Sequence, residues 1–324
     1  MQFIGHKTQW ELLRKMVDGG RLPQAFLFVG DSSLGKKKVA FEFLKLLNCE
    51  EKDFQKRPCG VCISCSLIER VKHPDLIFIA PQKREIQISQ VREVQKALNF
   101  RPQFSNFKSV IIDNAHVLNS EAQNCLLKTI EEPKGKTIFF LITSHPEFLF
   151  ETLRSRCEIL KFYPVSFEMV KKYFGSRISS GHLRKIFLLS EGRPGIAINF
   201  LDNHQTLSRV LENFKDAQYV LNSNLYQKFL FVKEFSKREN SSEEISFFLE
   251  NFIRYLRMLF LKELGVEESS FVFPCNKNSQ CHYPIQNINK AIDLIESFKF
   301  IISTTNVNRE LSLENLMIDI QKNF

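Results

Sequence analysis

Four cysteines crowd one short stretch, spaced Cys49-x9-Cys59-x2-Cys62-x2-Cys65. Thiolates are soft ligands, and four of them on tight turns suit a closed, tetrahedral, structural Zn²⁺ site. Buried or redox-active thiols are the alternative, and the regular spacing of the last three favours the metal. A fully ligated zinc has no open coordination position, so no catalysis is expected of it. Cys125 and Cys157 stand isolated. Cys275-x5-Cys281-His282 reads as a loop with incidental cysteines, a second metal site being the other reading.

A second constellation is Gly30-Asp31-Ser32-Ser33-Leu34-Gly35-Lys36-Lys37, with the Gly-x4-Gly-Lys spacing of a phosphate-binding loop. Glycines let successive backbone N–H groups converge on phosphate oxygens at a helix N-terminus, and the lysine reaches the β and γ oxygens. The next residue should carry a hydroxyl for Mg²⁺, but it is Lys37, a cation without an acceptor. Asp113 could still help hold a metal. Asn114 follows it where a hydrolase places a glutamate to polarise water, and an amide cannot accept that proton. The nucleotide-site residues Gly30, Gly35, Lys36, Lys37 and Asp113 therefore form either a weak ATP/Mg²⁺ site or a structural turn, and hydrolysis is not expected.

The third is Thr152-Leu153-Arg154-Ser155-Arg156-Cys157. An arginine stays protonated and offers a planar fork of donors suited to phosphate charge. A neighbouring subunit can receive such a finger in trans. On spacing alone, these are surface arginines.

The elements that must position these groups alternate between short apolar runs and helical patterns through residue 162. Strands are expected at Ala25–Gly30, Leu76–Ala80, Val110–Asp113, Thr137–Thr143 and Glu158–Phe162, with helices between them. That order predicts an α/β domain with a parallel sheet and ligands at the carboxyl ends of its strands. From residue 163 the strand pattern stops. Val165–Phe174 and His182–Leu189 read as helices, Gly192-Arg193-Pro194-Gly195 breaks them, and the proline starts another helix through Ile196–Leu201. Beyond about residue 207 the spacing is helical, as in Ile245, Phe248, Leu249, Phe252, Ile253 and Leu256. Ser241–Glu244 reads as a polar turn and Glu267–Pro284 as an irregular interruption. The expected plan is 1–162 α/β with the cysteine module at 49–65, 163–206 a small helical lid, and 207–324 an all-α C-terminal domain.

The 324 residues are 44% hydrophobic and 25% charged, which suits a soluble globular chain able to bury a sizeable core. The net charge of +9 fits either a phosphate-rich partner or a generally basic surface. The N-terminus lacks the pattern of a signal peptide, and no window approaches about 18 uncharged apolar residues, so a cytoplasmic protein without a membrane span is expected.

With these residues in hand, the chain resembles the clamp-loader family of bacterial DNA polymerase III over nearly its whole length. The likeness rests on Arg21–Phe28 before the loop, the cysteine module with His73-Pro74-Asp75, and Asn124–Pro133, which is similar to the NALLKTLEEP signature. It also rests on Ser155-Arg156-Cys157, which matches the SRC motif, and on Asn306-x-Asn308-x2-Leu311-x-Leu313-Glu314-x-Leu316 near the end. Asp113-Asn114-Ala115 and Ile86–Glu93 look like the delta-prime members, not the gamma/tau motors. The register of the motors' lid arginine lands on Gly195, with Arg193 displaced. The resemblance implies an AAA+ fold with a C-terminal oligomerising collar, an Arg156 that acts on the adjacent subunit's ATP, gamma/tau and delta subunits as partners, and a sliding clamp and primer-template DNA reached through the complex. A gamma-like ATPase motor is the main alternative, and a zinc-containing nucleic-acid module a third. For that third reading Lys52, Lys56 and Arg57 with Phe54 are thin support.

Overall fold

A computed structural model of the chain describes residues 3–82, 85–105, 107–132, 135–175, 178–238, 242–266, 283–304 and 307–323. Cys275, Cys281 and His282, most of the interruption read at 267–284, Pro133 and Asn306 lie outside the described residues. The chain divides into two compact units, Met1–Arg177 with Glu191–Ile196, and Ile178–Ser190 with Ala197–Phe324.

The first unit is built on five parallel strands: β1 (Ala25–Val29), β2 (Leu76–Ile79), β3 (Lys108–Ile112), β4 (Thr137–Thr143) and β5 (Glu158–Lys161), in the order β2-β3-β4-β1-β5. The helices between them are α1 (Lys7–Asp18), α2 (Lys36–Asn48), α3 (Ile63–Glu69), α4 (Ile88–Leu98), α5 (Ser120–Glu131) and α6 (Glu151–Arg154), with α7 (Phe167–Phe174) after β5. Burial on both faces explains why the central strands are continuous apolar runs. In β1, Phe26 and Phe28 join one core with Phe43 of α2 and Phe140 of β4, while Ala25 and Leu27 join the other with Val94 of α4 and Leu126 of α5. Phe26 stacks on Phe140 at 5.3 Å and meets Phe43 edge-on at 5.7 Å. Local signals agree with the helix starts. Gln87 and Gln90 form a capping box before α4, and Asn119 Oδ1 accepts the Ala122 N–H at 2.8 Å before α5.

β1, β2, β3 and β5 each end one residue before the expected bound, and one start differs as well. The strand expected at Val110–Asp113 starts at Lys108, whose N–H donates to Lys136 O at 2.8 Å, and it ends before Asp113. Lys108 reads as polar, yet it is buried and its ammonium donates to Ala97 O.

The second unit is helical: α8 (Ser180–Leu189), the later part of α9 (Pro194–Asp202), α10 (His204–Asn222), α11 (Leu225–Arg238), α12 (Ser242–Glu263), α13 (Ile285–Thr304) and α14 (Arg309–Asn323). Pro194 opens α9, where its fixed φ suits a first turn. All six apolar positions read as helical along α12, from Ile245 to Leu256, are buried. The polar turn expected at Ser241–Glu244 is instead, from Ser242 on, the first turn of α12, where Glu243 and Glu244 suit the positive end of the helix. In α14 Leu313 and Leu316 are buried, and Leu311 is exposed.

Candidate functional site

The phosphate loop joins β1 to α2. Gly30, at φ 147°, passes so close to β5 that a Cβ there would lie 2.4 Å from Phe162 O, so only glycine fits. Lys36, the first residue of α2, is buried, and its ammonium turns back on the loop, donating to Gly30 O and, at 2.6 Å, to Asp31 O. Burial lowers its pKa to about 8 against the raising fields of Asp31 and Asp113. Lys37 Nζ sits 3.1 Å from Asp113 Oδ2 and 5.1 Å from the centroid of the Phe78 ring. The other carboxylate oxygen, Oδ1, accepts the Asn114 N–H at 3.2 Å. Asn114 is exposed and left-handed at φ 53°, a conformation asparagine tolerates. All five residues read as a nucleotide site thus belong to one loop and the strand end facing it.

Several groups around this loop were not legible beforehand. His6 is buried, its ring edge-on to Phe162, and its Nε2 lies 2.7 Å from Leu34 O, the geometry of an N–H donor to that carbonyl. Burial lowers its pKa, so it is a neutral clamp on the loop. Gly195 donates its N–H to Ser33 O at 2.8 Å, and a Cβ there would lie 2.8 Å from the same oxygen. At the register of the lid arginine the backbone itself therefore covers the loop, and Arg193 is ion-paired with Glu191. At the end of β4, Thr143 Oγ1 lies 3.3 Å from His116 Nδ1 and accepts the His145 N–H at 3.0 Å. The two imidazoles stand 5.2 Å apart. Burial, then His145 and Lys36, hold the His116 pKa down to about 4.

The cysteine module lies between α2 and β2. The sulfurs of Cys49, Cys59, Cys62 and Cys65 all lie within 4.8 Å of one another. A tetrahedral zinc with bonds near 2.3 Å needs sulfurs roughly 3.8 Å apart, so these four fit the ion with a small adjustment. The backbone already serves the sulfurs: Cys59 N–H donates to Cys49 Sγ at 3.3 Å, Cys62 N–H to Cys59 Sγ at 3.3 Å, and Cys65 N–H to Cys62 Sγ at 3.4 Å. The Val61 and Cys62 amides lower the Cys59 thiol to about 7, whereas burial raises Cys49 and Cys65. The module is wired into the sheet domain. Glu69 of α3 pairs with Lys38, at 2.8 Å, and with Lys45 on α2. Ser64 Oγ lies 3.3 Å from His73 Nε2, and the buried Asp75 accepts the N–H groups of Gln103, Phe104 and Ser105 at 2.8–2.9 Å. His73-Pro74-Asp75 is accordingly a structural junction.

The arginine segment follows α6. Arg156 is 41% exposed, with Nη1 donating to Thr152 O at 2.9 Å and Nη2 2.6 Å from Glu131 Oε1. Ser155 Oγ donates to Thr152 O at 3.1 Å. Cys157 bonds Leu153 O at 3.3 Å, and burial raises its thiol to about 12, which makes it a packing residue. β5 starts two residues after Arg156, and its first residue, Glu158, lies opposite Phe26 near the start of β1. The phosphate loop begins at Gly30, four residues further, roughly 13 Å along the sheet. The structure keeps Arg156 apart from its own chain's phosphate loop.

The family model described as "DNA polymerase III, delta subunit" matches residues 5–166. The chain belongs to the delta-prime family of DNA polymerase III. A delta-prime subunit from Bacillus subtilis (strain 168) is 26% identical, with 96% of this chain aligned to 95% of the relative. The delta-prime subunit of Escherichia coli (strain K12) is 32% identical over 59% of this chain and 58% of its own length. A tau subunit from Salmonella typhimurium is 33% identical over 59% of this chain, which spans only 30% of that relative. Among solved structures, a gamma subunit-related protein from Thermotoga maritima has the same fold, with a TM-score of 0.56 at 17% identity, covering 97% of this chain and 99% of the other. Among the described residues no helix is long and apolar enough to cross a membrane.

Proposed function

We propose that the chain is a clamp-loader stator. It helps load the sliding clamp onto primed DNA and lends Arg156 to the ATP site of a gamma/tau neighbour without hydrolysing ATP itself. The observation that carries this reading is the placement of its cations. Lys36 and Lys37 are turned onto the loop and onto Asp113, whereas Arg156 stands at the surface near the opposite end of the strands. A γ-phosphate presented by another subunit would compete with Glu131 for the guanidinium, whose planar fork suits three equatorial oxygens. Lys37 lacks the hydroxyl that a metal needs, and Asn114 cannot act as a base, so the chain's own site has no means to fire.

In this reading Cys49, Cys59, Cys62 and Cys65 hold a structural zinc, which when bound would cross-link the turns that support α3. The lid is residues 163–206, and the helices from 207 to 324 form the collar that joins gamma/tau and delta subunits in the cytoplasm. The purified chain alone is expected to show no ATP turnover above background. In native mass spectrometry it should join its cognate gamma/tau and delta subunits with one zinc aboard. Brisk hydrolysis by the isolated chain would favour a gamma-like motor, and failure to join the complex would remove the assignment altogether.

A further inference from the structure

A phosphate-binding loop of this fold implies a magnesium nucleotide, and the residues present do not fit one. The place of the metal-ligating hydroxyl is taken by Lys37, and its ammonium lies 3.1 Å from Asp113 Oδ2, the carboxylate that would attend the metal. The second oxygen, Oδ1, is held by the Asn114 N–H at 3.2 Å. Lys36, which would meet the β and γ oxygens, is satisfied by two carbonyls of its own loop. Counting side chains, Lys36 and Lys37 carry two positive charges and Asp31 and Asp113 two negative ones, so the site balances to zero without an ion. The same position with a hydroxyl would leave one positive charge against two negative, a net negative site that attracts a divalent cation instead of repelling it. On the lid side, Gly195 is bonded to Ser33 O at 2.8 Å, fixing the loop's outer turn.

We infer that the Lys37 ammonium is a built-in replacement for the divalent cation, and that this one side chain is what closes the loop to magnesium nucleotides. A fixed monovalent charge on Asp113 keeps the loop folded with nothing bound. It also repels any Mg²⁺ that arrives with a nucleotide, since both would share one carboxylate. Lys37 is half exposed and reaches Asp113 from the first turn of α2, so replacing it leaves the core untouched.

This inference rests on the proposed silence of the chain's own site but not on Arg156 or on assembly. The test is isothermal titration of the full chain with ATP, in Mg²⁺ or in EDTA, comparing wild type with Lys37→Thr and with Lys37→Ser as a second hydroxyl variant. The expected result is at least tenfold tighter binding of ATP by the hydroxyl variants in Mg²⁺, abolished by EDTA, with no such binding by wild type. If wild type binds Mg²⁺-ATP as tightly as Lys37→Thr, the lysine inference falls, while the absence of hydrolysis, which also rests on Asn114, is tested separately by ATP turnover of the isolated chain. If neither hydroxyl variant binds while both melt as cooperatively as wild type, the lysine inference alone is overturned.

Discussion

The cysteine module and the phosphate loop lie in the same α/β unit, and each gathers groups from short turns around one point. They differ in who supplies the cation. Around the cysteines the converging atoms are four sulfurs, and those of Cys49, Cys59 and Cys62 accept backbone N–H groups, donors that stabilise thiolate without neutralising it. Around the loop, two ammonium groups already meet the carbonyls and carboxylate within reach. One site asks for an ion and the other has brought its own. The lesson is that spacing builds the turn, while the residue type at one position decides whether the turn is a binding site.

The comparison can be broken most decisively at the cysteines. Cys65→Ser, or stripping with a strong chelator, should lower the melting temperature by on the order of 10 °C, because the ion's binding free energy is also folding free energy. Scanning calorimetry of zinc-loaded and stripped protein checks this, and equal melting temperatures would show that the sulfurs are a packed cluster. The same chelator should leave the phosphate loop unaffected, whereas the Lys37→Thr substitution should make that loop chelator-sensitive in nucleotide binding.

A smaller effect is expected from His116. Its pKa of about 4 in the folded chain lies below its ordinary value of 6.5. Between these values the unfolded chain takes up a proton that the folded chain resists, so stability falls as pH drops through that window. His116→Asn should flatten the loss of stability between pH 6.5 and 4, read as urea midpoints against pH beside wild type. Asp75, Glu69 and Glu147 also have lowered pKa values and lose stability toward acid in both proteins, so only the difference between the two curves reports on His116. An unchanged slope would place His116 in contact with solvent.

The strands of the sheet could be read from sequence because burial on both faces leaves unbroken apolar runs such as Thr137–Thr143. The cysteine module and the loop were legible because their members are near in sequence. The start of β3 was missed because Lys108 is a buried cation that finds a helix carbonyl, which no local pattern announces. The partners that define the loop's chemistry were hidden for a related reason. Lys37 meets Asp113 only because the strand order places β3 two strands from β1 on the same sheet edge of carboxyl ends. Gly195 reaches Ser33, and His6 reaches Leu34, from outside the loop's own stretch of sequence. Arg156 was visible as a motif, but its separation from the chain's own loop follows from the pairing of Glu158 with Phe26.

That separation leads to the measurement that bears most directly on the whole account. Clamp-stimulated ATP turnover of the reconstituted loader should be compared between wild type and Arg156→Ala, with assembly followed by native mass spectrometry. The account predicts an intact complex in which the ATP site beside this subunit loses on the order of a thousandfold in turnover, and the loader's overall rate drops strongly with it. An intact complex that turns over ATP at the wild-type rate would contradict it.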